Sequence, residues 1–177
     1  MTITSSFNYH STALEVAARH ELHGKHGLVT GAPSGIGVET VRALATTGAE
    51  VTLAVRNTGA GEEVVETLRH QNAGATLHVL ELDLASLSSV RRAVARYVDT
   101  ARPLRLLINN AGVMSTPLQS TSDGFEMQFG TNHLGHFALA TGLIAAREGR
   151  SPGVALLERA PAKRLQPRRP QLRASSL

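Results

Sequence analysis

Thr30-Gly31-Ala32-Pro33-Ser34-Gly35-Ile36-Gly37 is the stretch on which the fold turns. Lys25 to Val29 leads straight into it as an apolar strand, and Ile36, Val41, Leu44 and Ala45 follow at helical spacing. Gly48 then stands where a helix ends. Glycines between a strand and a helix permit a tight turn, let the backbone approach a pyrophosphate, and let the helix start against the sheet. The helix N-terminus turns free N–H groups and the positive end of its dipole toward phosphates. Such a match alone also fits a plain strand-to-helix turn, but an apolar strand before it and an amphipathic helix after it favour dinucleotide binding.

Outward from this turn, strands and helices alternate. Val51 to Val55 reads as a strand, Glu62 to Asn72 as a helix through Val65 and Leu68, and Leu77 to Leu82 as a strand ended by Asp83. Ser86 is a candidate N-cap for a helix burying Leu87, Val90, Val94 and Tyr97. After Pro103, Leu104 to Ile108 is a fourth strand, and Phe125 to Arg147 reads as one or two helices with an apolar face. This order predicts an α/β fold: a doubly wound, Rossmann-like parallel sheet with right-handed crossovers and helices on both faces, incomplete on its C-terminal side. The expected organisation is a leader over 1–22, a dinucleotide-binding domain over 23–147 and an Arg- and Pro-rich tail over 148–177. Val154 to Leu157 is the one strand candidate in that tail, and its remainder is expected to be disordered. No internal repeat and no second domain are visible.

Charge follows the same division. The 177-residue chain carries a net +4. Residues 1–146 hold ten Lys and Arg against twelve Asp and Glu, whereas residues 147–177 hold eight against two, with four of the seven prolines. The basic character therefore belongs to the tail. With no cysteine, disulfide frameworks and thiolate metal sites are excluded. Met1 to His10 lacks a basic start and an apolar run, and His133 to Ala146 is too short to span a bilayer, so a soluble, cytoplasmic protein is expected, without a membrane partner. His20, His23 and His26, and the pair His133 and His136, lack a third ligand at metal-site spacing and read as surface, loop or packing residues; no metal site is expected. Asp123 and Glu126 read as helix-start charges. Nucleic-acid binding by the tail is disfavoured, since no nucleic-acid fold or aromatic interleaving accompanies its cations.

The spacing Thr-Gly-x-x-x-Gly-x-Gly, with Asp83-Leu84 after the third strand, Asn109-Asn110-Ala111-Gly112 after the fourth and Asn132-His133-Leu134-Gly135-His136-Phe137 on the next helix, resembles the short-chain dehydrogenase/reductase family. The resemblance covers roughly residues 20–146 and is most similar to its retinol-dehydrogenase-like branch. It departs at Pro33, where the family usually has a small polar residue. The resemblance implies a cofactor site of Gly31, Ser34, Gly35, Ile36, Gly37, Arg56, Asn57, Asp83, Leu84, Asn110, Ala111 and Gly112, with Asp83 meeting the adenine ring. An acidic residue at the end of the second strand would bind ribose hydroxyls and repel a 2′-phosphate. Arg56-Asn57 stands there instead, so NADP(H) is expected over NAD(H), with a solvated loop Arg as the other reading.

The resemblance further implies hydride transfer between a nicotinamide and a carbonyl or alcohol carbon, performed by an Asn, a Ser, a Tyr and a Lys four residues after the Tyr. Asn132 alone has a clear match. The two tyrosines, Tyr9 and Tyr97, lie upstream of the expected position, no Tyr-x-x-x-Lys occurs, and Lys163 is the one downstream Lys. Ser151, Ser175 and Ser176 lack the context of a catalytic Ser. Without a phenol the proton has no carrier, and the chain as written is expected to be inactive. The change in composition after Arg147 suggests an out-of-frame or prematurely terminated translation, which reading the other two frames past codon 146 would test. A non-catalytic nucleotide-binding or interaction module is the alternative, and self-association through the helix bearing Asn132 is a further expectation.

Overall fold

The structure, a computed structural model, describes residues 7, 8, 10–145 and 155–158. His26–Thr30 (β1) is buried at every residue, as a strand covered on both faces and paired on both edges must be. Glu50–Val55 (β2) lies parallel on one side of it and Leu104–Asn109 (β4) on the other. Leu77–Glu81 (β3) extends the sheet beyond β2, and Ala155–Glu158 (β5) extends it beyond β4, both again parallel. The sheet order is β3-β2-β1-β4-β5, the doubly wound arrangement expected.

Side chains alternate along each strand, and the two faces carry separate cores. Val29, Leu53 and Val55 point to the face covered by Ile36–Thr46 (α2) and Thr58–Gln71 (α3), where they meet Val41, Val65 and Leu68. Leu28, Ala54 and Leu107 point to the other face, against Val90 and Tyr97 of Leu87–Asp99 (α4) and Leu139 and Leu143 of His136–Ala145 (α6). Upstream, Ala13–Ala17 (α1) packs on α2 behind a capping box of Thr12 and Glu15.

Several boundaries differ from the sequence reading for local reasons. α3 begins four residues before Glu62 because Asn57 accepts a hydrogen bond from the Ala60 N–H at 3.2 Å. Ile36 is 58% exposed and belongs to no core, since the first residue of α2 overhangs the strand ends. On α4, Ser86 caps as expected, but Ser89 and Ala93 take buried places, while Leu87 and Val94 are half-buried. The segment read as one or two helices contains Met127–Phe129 (α5), a π-helical stretch over Gly130–Gly135, and α6. The C-terminal strand candidate is present as β5 over Ala155–Glu158, and Val154 lies outside the described residues. Ser151, Lys163, Ser175, Ser176 and Tyr9 lie outside the described residues. Among the described residues no helix is long and apolar enough to cross a membrane.

The two proposed helix-start charges act as such. Glu126 accepts from the N–H groups of Gln128 and Phe129 at 2.8 and 2.7 Å, and these bonds hold its carboxyl below the ordinary value. Asp123 reaches back to accept from the Leu87 N–H at 2.8 Å, at the start of α4.

Candidate functional site

The C-terminal ends of β1, β2, β3 and β4 open into one cavity of about 540 Å³. Gly31, Ser34, Gly35, Ile36 and Gly37 line it from the β1–α2 turn, and Arg56 and Asn57 from the end of β2. Asp83 and Leu84 line it after β3, and Asn110, Ala111 and Gly112 after β4. The cofactor residues inferred from the sequence are thus brought together without exception. Its position is also the one the topology favours, because the chain runs outward from β1 through β2 to β3 and then crosses back to β4 on the other side of β1, and this reversal of strand order opens a crevice at the strand ends.

The turn is shaped by what its glycines exclude. Gly31 has φ +66° and lies so close to the β4 exit that a Cβ would stand 2.6 Å from the Cα of Ala111. Gly37 sits in helical conformation, yet a Cβ there would come 2.8 Å from both the Ala32 Cα and the Asn110 Nδ2. These two positions press the helix and the turn against the strand ends. Gly35, with φ +61°, is different: nothing lies within 4 Å of where its Cβ would be. The backbone there, at the N-cap of α2, is bare toward the cavity, with no side chain capping the helix. A helix N-terminus with open N–H groups and an Arg at the next strand end form an anion-accepting surface.

The opposite wall is held by hydrogen bonds. The Asn110 Nδ2 donates to the carbonyls of Thr30 and Gly31, both at 3.0 Å, and the Ala111 N–H donates to Thr30 Oγ1 at 3.0 Å. Thr30 Oγ1 lies 2.9 Å from His136 Nε2, and His136 Nδ1 lies 3.0 Å from the Asn132 carbonyl. Asn132 has both side-chain polar atoms on Val113: Oδ1 accepts its N–H and Nδ2 donates to its carbonyl, each at 2.8 Å. Asn132 therefore stands beside the cavity against Gly112, and its neighbour Thr131 lines it. Sequence reading missed Thr131 and Val113, together with Pro33, Ala54, Val55 and Leu82. The strand-end residues follow from the strand boundaries; Thr131 does not, because the π-helical turn that presents it has no pattern in the sequence.

A second polar cluster lies at the other end of the sheet. His26 opens β1, 2% exposed, with Nε2 at 2.8 Å from Thr52 Oγ1, stacked on His78 and edge-on to Tyr97. Glu50 takes the His78 Nε2 at 2.8 Å and the Arg102 Nε at 3.0 Å. Burial pushes His26 down to about 4, with Arg102 and His78 adding to the shift and Glu50 opposing it. Partial burial works against the charge of Glu50, but the hydrogen bond from His78 and the His26 and Arg102 charges outweigh it and lower its value. Tyr97 thus belongs to the end of the sheet remote from the cavity. Among the described residues no group of His, Cys, Asp or Glu forms a metal-ligand cluster.

The geometry has parallels among known proteins. The family described as short chain dehydrogenase matches over residues 25–155. The chain is 42% identical over 142 residues to Short-chain dehydrogenase TIC 32 B, chloroplastic, of Brassica napus, covering 79% of this chain and 44% of the relative. It is 42% identical over 132 residues to Retinol dehydrogenase 12 of Mus musculus, covering 75% and 42%. Among solved structures, an uncharacterised protein from Mycobacterium paratuberculosis superposes with a TM-score of 0.64 at 45% identity, over 73% of this chain and 46% of that one. A citronellol catabolism dehydrogenase from Pseudomonas aeruginosa PAO1 gives 0.64 at 27% identity, over 84% and 58%. The chain spans less than half the length of these curated relatives.

Proposed function

Since the chain belongs to the short-chain dehydrogenase family, whose members bind NAD(P)(H) and act as oxidoreductases, we propose that its cavity is a nicotinamide-dinucleotide site that prefers NADP(H) to NAD(H). The observation that carries this reading is the bare N-terminus of α2 at Gly35 opening into the same cavity as Arg56. The N–H groups of the Gly35–Gly37 turn would hold the diphosphate, and the helix dipole favours its charge. Arg56 would hold the 2′-phosphate with paired hydrogen bonds, where an acidic residue would instead take ribose hydroxyls. Asp83 and Leu84 would flank the adenine, and Ala111 and Gly112 the far end. When bound, such a cofactor supplies or accepts a hydride at a carbonyl or alcohol carbon.

The chain as written is proposed to bind without turning over. No Tyr-x-x-x-Lys occurs in it, and Tyr97, 4% exposed, packs edge-on to His26 at the wrong end of the sheet to hand a proton to anything in the cavity. Asn132 enters this reading as the residue that fixes the β4 exit through Val113. The partition into a leader over 1–22, a dinucleotide-binding unit over 23–147 and a tail over 148–177 belongs to the same proposal. Fluorescence titration tests it. Saturable NADPH binding, tighter than NADH, is expected, and Arg56→Ala should weaken NADPH by about tenfold or more, the weight of a charged hydrogen bond, while sparing NADH. Equal loss for both cofactors would remove the preference; no NADPH binding would remove the function. Hydride transfer to carbonyl substrates by the chain alone would overturn its inactivity.

A further inference from the structure

We propose that His136 is a positioning residue for the cavity, held as the neutral Nδ1–H tautomer so that its imidazole ties the end of β1 to the π-helical turn. The inference rests on the cofactor reading above, and it arises from donors and acceptors. The Asn132 carbonyl can only accept, so His136 Nδ1, 3.0 Å away, carries a proton. Thr30 Oγ1 already accepts from the Ala111 N–H, which leaves its own proton to give. Two acceptors lie within reach: His136 Nε2 at 2.9 Å and the Ile108 carbonyl at 3.5 Å, and the shorter bond takes it. The relay therefore runs from the Ala111 N–H to Thr30, from the Thr30 hydroxyl to His136 Nε2, and from His136 Nδ1–H to Asn132. The other tautomer would set a lone pair against the Asn132 carbonyl. An imidazolium would force the Thr30 proton onto the long Ile108 contact, in a site where His136 is 3% exposed.

The placement gives the relay its purpose. Three segments meet at the cavity wall: the β1 turn, the β4 exit and the π-helical turn. Asn110 joins the first to the second, and Asn132 joins the second to the third. His136 joins the third to the first and closes the triangle. Gly31, Ala111, Val113 and Thr131, all lining the cavity, sit on or next to its corners. Loss of His136 would leave the Asn110 and Asn132 ties in place but let the π-helical turn shift relative to β1.

Long-range proton–nitrogen NMR on the ¹⁵N-histidine-labelled chain reads the tautomer directly, with His136 assigned by its loss in His136→Gln. A neutral ring protonated on Nδ1 at neutral pH is expected; protonation on Nε2, or on both nitrogens, overturns the relay. NADPH titration reads the positioning. His136→Phe and Thr30→Val are expected to bind about tenfold more weakly, and Thr30→Ser, which keeps the hydroxyl, within about twofold of the parent chain. Either of the first two melting cooperatively and binding like the parent would end the proposal, as would equal weakening by Thr30→Ser. If His136→Phe does not fold, the threonine pair and the tautomer decide. Failure of the parent chain to bind NADPH counts against the cofactor reading, and the NMR result still decides the relay.

Discussion

At the residue scale, a glycine is legible in sequence when its duty is local, and Gly31, Gly35 and Gly37 stand where β1 passes into α2, as their spacing predicts. What the spacing cannot give is the neighbour each one excludes. Glycine inside a helix usually costs roughly 1 kcal/mol against alanine, so replacing it should stabilise. At Gly59, in the exposed first turn of α3, the nearest atom to an added Cβ is 3.4 Å away, and Gly59→Ala is expected to stabilise by up to about 1 kcal/mol. At Gly37 the added Cβ would strike the backbone of Ala32, and Gly37→Ala is expected to destabilise by about 1–3 kcal/mol despite the better helix former. Urea denaturation of the two variants should move in opposite directions. Histidines are the reverse case: nothing local distinguishes buried His26 from exposed His133, because the partners of His26 come from β2, β3 and α4. Its lowered value of about 4 carries a sign. Between that value and 6.5 the unfolded chain binds the proton that the folded chain refuses, so stability is full above about 6.5 and falls as pH drops toward 4. The full loss is on the order of 3 kcal/mol. His26→Phe, which keeps the ring contacts and removes the titration, should flatten the decline in the urea midpoint between pH 7 and pH 5; an unchanged slope would assign the acid sensitivity elsewhere.

At the scale of elements, periodicity located β1 to β4 and α2 to α4 because each buries one face or lies wholly inside, and burial imposes a repeat of two or of 3.6 residues. The misplacements came where hydrogen bonding competes with that repeat. Asn57 starts α3 before any apolar residue does, and the stretch after Glu126 changes from α to π winding with no change in composition. The start of α4 shows both kinds of signal at once. Ser86 accepts from the Ser89 N–H at 3.3 Å and is legible as an N-cap. Asp123, 36 residues away, takes the Leu87 N–H and is legible only as a charge near another helix. Each replacement by Ala should cost about 1 kcal/mol, since each strands a different donor. Amide exchange should separate them: Asp123→Ala is expected to speed exchange at Leu87, and Ser86→Ala at Ser89. Matching changes at both amides in both variants would mean the helix end frays as a unit.

At the scale of the molecule, the sheet has two polar ends with separate work. The ends of β1 to β4 hold the cavity, while their beginnings hold His26, Glu50, His78 and Arg102 in one charged cluster. The apolar middle of β1 separates them, with Leu28 and Val29 fully buried between His26 and Thr30. Sites so placed share no partner, and their energies should add. A ligand seated across four strand ends binds the folded chain alone, so NADPH at about one hundred times its dissociation constant should raise the unfolding free energy by about 2.7 kcal/mol. NADH at that same concentration should raise it by less, and Arg56→Ala should bring the two together. If the ends are independent, His26→Phe should leave the NADPH increment within about 0.5 kcal/mol of the parent chain, even though it changes the acid response of the whole sheet. An increment that shrinks in His26→Phe would mean the strands carry strain from one end to the other. An absent increment in both chains would mean that nothing in the cavity recognises the dinucleotide.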